Sequence, residues 1–156
     1  MPKHIFFIDC LDTVFNEHKR KLSEFGHVDV PDDVYLRKMK LIGYDQWFEN
    51  MPRNEYFLKI LNLMTKHHVS CIVPREFPNF WDIFSPVSRA IRSNLRMLLS
   101  NLTVLPSSID YARENHVLIS RNQELIEQWV ARGGIGIRYK NATQTYNQVY
   151  TLVENG

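Results

Sequence analysis

Polar side chains able to bind an anion or a metal ion follow four short apolar segments of this sequence. They occur in residues 9–13, 74–75, 105–108 and 120–122, and they include carboxylate, hydroxyl and guanidinium groups. Carboxylates bind hard metal ions, and guanidinium groups pair with carboxylates or phosphates through parallel hydrogen bonds. If the four segments are neighbouring parallel strands, these groups converge on one ligand-binding site.

The elements that would position these groups alternate between short apolar runs and amphipathic segments. Strands are predicted at residues 5–8, 69–73, 103–105, 117–119 and 135–139. Helices are predicted at residues 13–25, 54–68, 85–102, 122–132 and 144–154, with Asn54 as a cap and Pro86 in the first turn of its helix. Such alternation predicts an α/β fold of three layers, a parallel sheet flanked by helices.

The length of 156 residues accommodates one compact domain spanning residues 1–156. Residues 26–52 interrupt the strand–helix alternation. They contain Pro31, Gly43 and Pro52 among bulky apolar side chains, so we expect a small helical cap inserted after the first helix.

Charge and composition restrict the class of function. Lys plus Arg number 19 and Asp plus Glu number 17, a balance that argues against a nucleic-acid partner despite basic clusters at residues 18–21 and 37–40. No apolar run is long enough to span a bilayer, and no signal-peptide pattern opens the chain, so a cytoplasmic location without membrane association is expected. Cys10 and Cys71 are expected to be buried, reduced thiols.

Two segments carry a family resemblance. Residues 5–15 read IFFIDCLDTVF, and residues 116–122 read HVLISRN before an amphipathic helix and the segment GGIGI at 133–137. In this order they resemble the first and fourth motifs of the haloacid-dehalogenase-like (HAD) superfamily, and the small 5′(3′)-deoxyribonucleotidases in particular. The resemblance covers essentially the whole chain and implies a Rossmann-like phosphatase fold.

The resemblance also assigns a position to each catalytic group, and most of those positions are altered. Asp9 stands at the place of the nucleophile that attacks phosphorus, but Leu11 stands where the family has the acid that protonates the leaving group. Asp12 falls one residue later, and Thr13 is retained as a loop-bracing hydroxyl. The altered site comprises Asp9, Leu11, Asp12, Thr13, Pro74, Arg75, Ser107, Ser108, Ser120 and Arg121.

The remaining family motifs depart from the pattern in the same way. Pro74 follows the second strand where the family has a Ser or Thr that binds phosphate, and residues 105–112 contain no Lys. Ser120 and Arg121 stand where the family has acidic metal ligands. The sequence therefore predicts a nucleotidase-like pseudoenzyme that needs no cofactor and binds a partner protein or a phosphorylated ligand such as a nucleotide.

The alternative is an active phosphohydrolase of the 5′(3′)-deoxyribonucleotidase type. It would use Asp9 as nucleophile and metal ligand, water or Asp12 as proton donor, and Mg²⁺ as cofactor. A third hypothesis concerns the pocket charge: Arg75 or Arg121 pairs with Asp9 in place of the metal, and Ser107, Ser108 and Ser120 add phosphate donors.

Aromatic residues concentrate in the expected cap and in the loop after the second strand. They are Tyr35, Tyr44, Trp47, Phe48, Phe77, Phe80, Trp81 and Phe84. Packing of the cap against the sheet is one interpretation. The other is an exposed patch that binds a partner protein or a second copy of the chain.

Overall fold

A five-stranded, all-parallel sheet forms the centre of the molecule in the computed structural model, which describes residues 3–75 and 79–155. The strands are β1 (Ile5–Asp9), β2 (Val69–Val73), β3 (Leu102–Pro106), β4 (His116–Ser120) and β5 (Ile135–Arg138). Their order across the sheet is β3-β2-β1-β4-β5. The predicted α/β class is confirmed, and the architecture is Rossmann-like.

Seven α-helices flank this sheet within the described ranges. They are α1 (Glu17–Phe25), α2 (Asp32–Ile42), α3 (Tyr44–Glu49), α4 (Glu55–Asn62), α5 (Phe80–Leu95), α6 (Gln123–Ala131) and α7 (Ala142–Asn155). Two short 3-10 turns, at Cys10–Asp12 and Ile109–Tyr111, follow β1 and β3.

Alternating side chains of the strands build a core on each face of the sheet. Phe6 and Ile8 of β1 belong to the larger cluster, whereas Phe7 belongs to a smaller one that also contains Leu118 and Trp129. Successive residues of a strand point to opposite faces, so β1 is covered on both sides and its apolar run is continuous. This double burial accounts for the ease with which the strands can be recognised in the sequence.

Several helix boundaries differ from the sequence-based expectation. The first helix begins at Glu17 instead of residue 13, because the chain first makes a 3-10 turn and the Asn16 side chain then accepts a hydrogen bond from the Lys19 N–H. Helix α4 ends at Asn62, since residues 63–66 form turns. Asn54 precedes α4 but makes no side-chain cap.

Helix α5 begins five residues earlier than expected and holds Pro86 in its interior. A proline there removes one backbone hydrogen bond of the helix. The helix nevertheless continues because Ile83 and Val87, on either side of the proline, are fully buried. Burial of this apolar face therefore outweighs the local signal that placed Pro86 in a first turn.

The expectation of reduced thiols is wrong for this structure. Cys10 and Cys71 form a disulfide that joins the turn after β1 to the middle of β2. The sheet register places Ile8 opposite Cys71, so the residue two positions after Ile8 can reach the neighbouring strand. Their Cα atoms lie 5.7 Å apart, within the usual range for a disulfide. Pairing of strands distant in sequence brings the two cysteines together.

The expected cap segment contains α2 and α3, which contact each other, and α3 packs along α5. Trp47 of α3 is fully buried, and its indole N–H donates to the Tyr35 hydroxyl of α2 at 3.3 Å. The Arg20 guanidinium of α1 lies 4.1 Å from the centre of the Trp47 ring and donates to the carbonyl oxygen of Asn50 at 3.0 Å. The segment is thus fixed to the sheet domain by polar as well as apolar contacts.

Candidate functional site

The carboxyl ends of β1 and β4 form a crevice at the centre of the sheet. The chain leaves β1 towards β2 on one side, whereas it leaves β4 towards β5 on the other. Ligands of open α/β sheets bind at such a reversal of strand order, outside the carboxyl ends of the strands. Asp9 is the last residue of β1 and Ser120 the last of β4, so the fold brings two candidate residues from distant parts of the chain to this crevice.

Asp9 is a buried carboxylate held by its neighbour in space. The Ser120 Oγ donates a hydrogen bond to Asp9 Oδ2 at 3.0 Å, and Ser120 is itself fully buried. Only 5% of the Asp9 surface is exposed. The Thr13 hydroxyl donates to the main-chain carbonyl of Asp9 at 2.9 Å, which braces the turn after β1.

Leu11 points into the apolar interior and not into the crevice. Its surface is 3% exposed, and it lines a narrow apolar gap together with Phe48 of α3 and Val87 of α5. The side chain therefore joins the sheet domain to the cap segment by packing. Leucine has no group that transfers a proton, so this position supplies no general acid.

A cavity of about 490 Å³ opens beside the first turn of α1. The described residues that line it are Asp12, Phe15, Asn16, Glu17, His18, Asn54 and Arg121. Asp12 and Arg121 are the two members of this wall that the sequence identifies as candidates. Asp9 is not part of the described wall, so the aspartate at the position of the expected nucleophile does not face the cavity.

Arg121 is fixed in front of this cavity by two contacts, although the side chain is exposed. Its Nε donates to the main-chain carbonyl of Asp12 at 2.6 Å. The guanidinium carbon lies 4.5 Å from the centre of the Tyr139 ring, a distance typical of a cation–π contact. The terminal nitrogens of the guanidinium are then oriented before any ligand arrives.

Tyr139 also positions a second polar group of the wall. Its hydroxyl accepts a hydrogen bond from Asn54 Nδ2 at 3.0 Å, across 85 residues of sequence. The main-chain N–H of Tyr139 donates to the Ser120 carbonyl at 2.8 Å. The residue after β5 therefore connects the end of β4 with the wall residue Asn54.

The two carboxylates of the wall have unusual electrostatics. Burial raises the pKa of Asp12, and the positive charges of Arg121 and Lys21 oppose this effect. Burial also raises the pKa of Glu17, against the influence of Lys21 and of the Tyr35 hydroxyl, which donates to Glu17 Oε2 at 3.0 Å. Removal of water destabilises the charged form of each carboxylate.

The candidates at the ends of β2 and β3 form a group of their own. Arg75 donates through Nε to the Ser107 carbonyl at 3.0 Å, and the Ser108 side chain accepts from the Asp110 N–H. Neither these residues nor Pro74 line the described cavity. An ion pair between Asp9 and Arg75 or Arg121 stays a prediction, since the contacts described for both guanidinium groups are with carbonyl oxygens and the Tyr139 ring.

Residues suited to Mg²⁺ do not gather around Asp9. The ion requires near-octahedral oxygen ligands, commonly with one or two carboxylates. Within residues 3–75 and 79–155, no three His, Cys, Asp or Glu side chains come together in a way that could hold a metal ion. One oxygen of Asp9 is already engaged by Ser120, and Leu11 contributes no ligand. The residues at this position do not fit the magnesium site that the resemblance implies.

The aromatic residues of the sequence divide into two groups. Tyr35, Trp47 and Phe48 are buried, as packing of the cap requires. Phe80, Trp81 and Phe84 form a cluster at the start of α5, with ring centres 4.9 to 6.1 Å apart, and 69% of the Trp81 surface is exposed. Tyr44 is half-buried. Phe77 lies outside the described residues.

Five of the wall residues escaped the sequence reasoning, each for a local reason. Phe15, Asn16, Glu17 and His18 lie where the chain passes from the turn into α1, and that passage was predicted to be regular helix. Asn54 carried only the signal of a helix cap. The Asn16 cap itself, followed by Glu17, was a recognisable helix start that would have moved the boundary and exposed these residues as loop-borne candidates.

Comparison with known proteins supports the fold and leaves the function open. No family model matches the chain, and no curated protein is significantly similar to it. A crystal structure of an uncharacterized protein from Corynebacterium glutamicum ATCC 13032 Kitasato is similar over 99% of this chain and 96% of that one. The identity is 9% and the TM-score 0.50, so the likeness concerns the fold alone. Among the described helices, none has the length and apolar character needed to cross a membrane.

Proposed function

We propose that this chain is a nucleotidase-like pseudoenzyme of HAD type that binds a small phosphorylated ligand, a nucleotide among them, without hydrolysing it. The observation that carries the proposal is that the cavity contains a group suited to bind phosphate but not the carboxylate that would attack it. The cavity wall presents the guanidinium of Arg121, whereas Asp9, at the nucleophile position, lies buried against Ser120 and outside that wall.

The dimensions and the chemistry of the cavity support ligand binding. Small-molecule sites commonly have volumes of about 300–1,000 Å³, and this cavity falls in that range. Arg121 is suited to a phosphate because a guanidinium offers several donors in a fixed plane. The contacts with Tyr139 and the Asp12 carbonyl hold that plane in place, which reduces the entropy lost on binding.

The groups at the catalytic positions support the proposed lack of turnover. Leu11 cannot protonate a leaving group, and the residues around Asp9 do not fit Mg²⁺. A phosphoryl transfer through Asp9 would need both functions. No cofactor is therefore included in the proposal.

Ligand binding can be tested by thermal shift and calorimetry with inorganic phosphate and deoxynucleoside monophosphates. We expect the unmodified protein to be stabilised in a concentration-dependent manner. The Arg121→Gln variant should lose this response, and Arg113→Gln, which removes another exposed arginine, should retain it. No stabilisation of the unmodified protein by any of these compounds would refute ligand binding.

Turnover is tested separately with an aryl phosphate and deoxynucleoside monophosphates in the presence of Mg²⁺. We expect no release of phosphate above that of the buffer. Hydrolysis that requires Mg²⁺ and disappears in Asp9→Asn would establish the alternative, an active phosphohydrolase, and overturn the pseudoenzyme.

A second candidate function rests on the exposed cluster at the start of α5. Trp81 presents most of its surface to solvent beside Phe80 and Phe84, and tryptophan is enriched at the energetic centres of protein interfaces. If a second copy of the chain binds there, the protein should self-associate; if a partner protein binds there, the chain should capture that partner. Trp81→Ser should abolish either interaction. Light scattering that shows a monomer at all concentrations would exclude the second copy.

The cytoplasmic location expected from the sequence stays a prediction. The Cys10–Cys71 disulfide weighs against it, because reducing compartments rarely preserve such bonds.

A further inference from the structure

Arg121 and Asp12 are oppositely charged residues of the cavity wall that influence each other without a direct contact between their charged groups. Arg121 uses its Nε to contact the main-chain carbonyl of Asp12, and within the described residues the two side chains form no ion pair. Among the residues that the structure describes, none donates a hydrogen bond to the Asp12 carboxylate. The wall thus presents a hydrogen-bond donor pole, the Arg121 guanidinium, and an acceptor pole, the Asp12 carboxylate, and both face the cavity.

The other carboxylate of the wall is already satisfied. Glu17 accepts a hydrogen bond from the Tyr35 hydroxyl, and its second oxygen lies 3.8 Å from Lys21 Nζ. Tyr35 in turn accepts from the Trp47 indole, so Glu17 belongs to the network that holds the cap segment. Asp12 is therefore the wall carboxylate that a ligand can engage without breaking an existing contact.

A phosphate bound by Arg121 alone would lie close to the charge of Asp12. The Arg121 Nε is 2.6 Å from the main-chain carbonyl of that same aspartate, and the guanidinium is near enough to the carboxylate to lower the pKa of Asp12. Two like charges at such separation in a half-buried cavity repel each other, since the local dielectric is lower than in water. A positive group on the ligand, next to its phosphate, would remove this repulsion.

We infer that the ligand is a zwitterion, a phosphomonoester that carries a primary amine a few bonds from the phosphate. The inference rests on the proposed binding function and assigns the second pole of the same site. Arg121 holds the phosphate, and Asp12 accepts hydrogen bonds from the ammonium group and determines the specificity. Aminoalkyl phosphates and amino sugar phosphates belong to this chemical class.

A matched pair of small ligands tests the inference on the full chain. 2-Aminoethyl phosphate and ethyl phosphate share the phosphate and differ by the ammonium group. By calorimetry we expect 2-aminoethyl phosphate to bind about tenfold more tightly, the factor that a charge-assisted hydrogen bond between ammonium and carboxylate commonly provides. Asp12→Asn should abolish this preference and leave ethyl phosphate bound at least as tightly, whereas Asp29→Asn, at an exposed position outside the cavity wall, should preserve it.

The possible outcomes separate the inference from the proposed function. Equal affinity for the two ligands, or a preference that survives in Asp12→Asn, overturns the inference and leaves the proposed function in place. Binding of neither ligand also overturns the inference, whereas the proposed function is refuted only if inorganic phosphate and the deoxynucleoside monophosphates fail to bind as well. If Asp12→Asn does not fold, the comparison of the two ligands on the unmodified protein decides by itself.

Discussion

The Oγ of Ser120 lies 3.0 Å from Oδ2 of Asp9 and donates a hydrogen bond to it, although 111 residues separate the two in the chain. The bond joins the last residues of β4 and β1, where the strand order of the sheet reverses. Both side chains are buried, so the contact contributes to stability as well as to the position of the carboxylate.

Substitution Ser120→Ala is expected to lower the free energy of unfolding by about 1–3 kcal/mol, because the buried Asp9 carboxylate loses the hydrogen bond from Ser120. Ser120 Oγ also accepts from the Asn122 N–H, so the loss includes one neighbouring backbone group. Urea unfolding followed by circular dichroism measures the change. Ser23→Ala, on the exposed surface of α1, is the matched control and should leave stability almost unaltered; an equal effect of both substitutions would contradict the structural role of Ser120.

Reduction of the Cys10–Cys71 disulfide is expected to destabilise the protein. The bond closes a loop over a sequence separation of 61, and loss of that constraint on the unfolded chain costs about 4 kcal/mol in the chain-entropy estimate. The melting temperature should fall in dithiothreitol and not respond to dithiothreitol in the Cys10→Ser/Cys71→Ser double variant. Two thiols that react in the denatured, unreduced protein would show that the disulfide does not form in solution.

Protonation of two buried histidines at the amino end of the sheet should weaken the fold. Burial lowers the pKa of His4 and of His67, with smaller contributions from Lys3 to His4 and from His4 to His67. Just below the ordinary pKa of 6.5, the unfolded chain binds protons that the folded protein does not, so the free energy of unfolding falls as the pH decreases through this range.

Urea unfolding between pH 7.5 and 5.5 measures this dependence. His67→Gln should make the slope shallower, whereas His27→Gln, at an exposed position, should not. Asp12 and Glu17 have the opposite effect, because their pKa values are raised in the folded protein. They favour the folded state at acid pH, and the free energy of unfolding falls as the pH rises above their ordinary pKa values, 3.8 for Asp12 and 4.5 for Glu17. An unchanged slope in His67→Gln would contradict the assignment.

An alanine at position 134 is expected to clash with Trp129. A Cβ atom there would overlap the indole ring, which is fully buried and donates from Nε1 to the His116 carbonyl at 3.0 Å. Overpacking of this kind costs about 1–3 kcal/mol of stability. A double-mutant cycle with Trp129→Phe, measured by urea unfolding, tests this. The loss of stability caused by Gly134→Ala should be smaller in the Trp129→Phe background, because phenylalanine lacks the indole Nε1. A cost that is equal in both backgrounds would place its origin elsewhere.

The parts of the fold that could be predicted from sequence are those with local signals. Apolar runs such as Ile5–Asp9 and Val69–Val73 are bounded by polar residues, and the helices between parallel strands follow from their connectivity. The helix starts could not all be found, since burial of Ile83 and Val87 overrides the proline signal at the start of α5.

The candidate site was predictable only in part, because its geometry depends on contacts between distant residues. Asp9, Asp12, Ser120 and Arg121 were identified from their positions after strands. The contact of Asn54 with Tyr139, and the disulfide between Cys10 and Cys71, have no signal in residue spacing, since only the folded arrangement of the strands, helices and turns brings these residues together.

The position of β1 at the centre of the sheet also affects synthesis of the chain. Its two neighbours pair through Val69 and His116, so β1 leaves the ribosome long before either partner exists. At about 5–20 residues per second, the interval before β2, the first of these partners, is complete lasts on the order of 3–13 seconds. During that time the run of Ile5, Phe6, Phe7 and Ile8 has no sheet to enter, which makes it a natural binding segment for chaperones that recognise extended apolar chains.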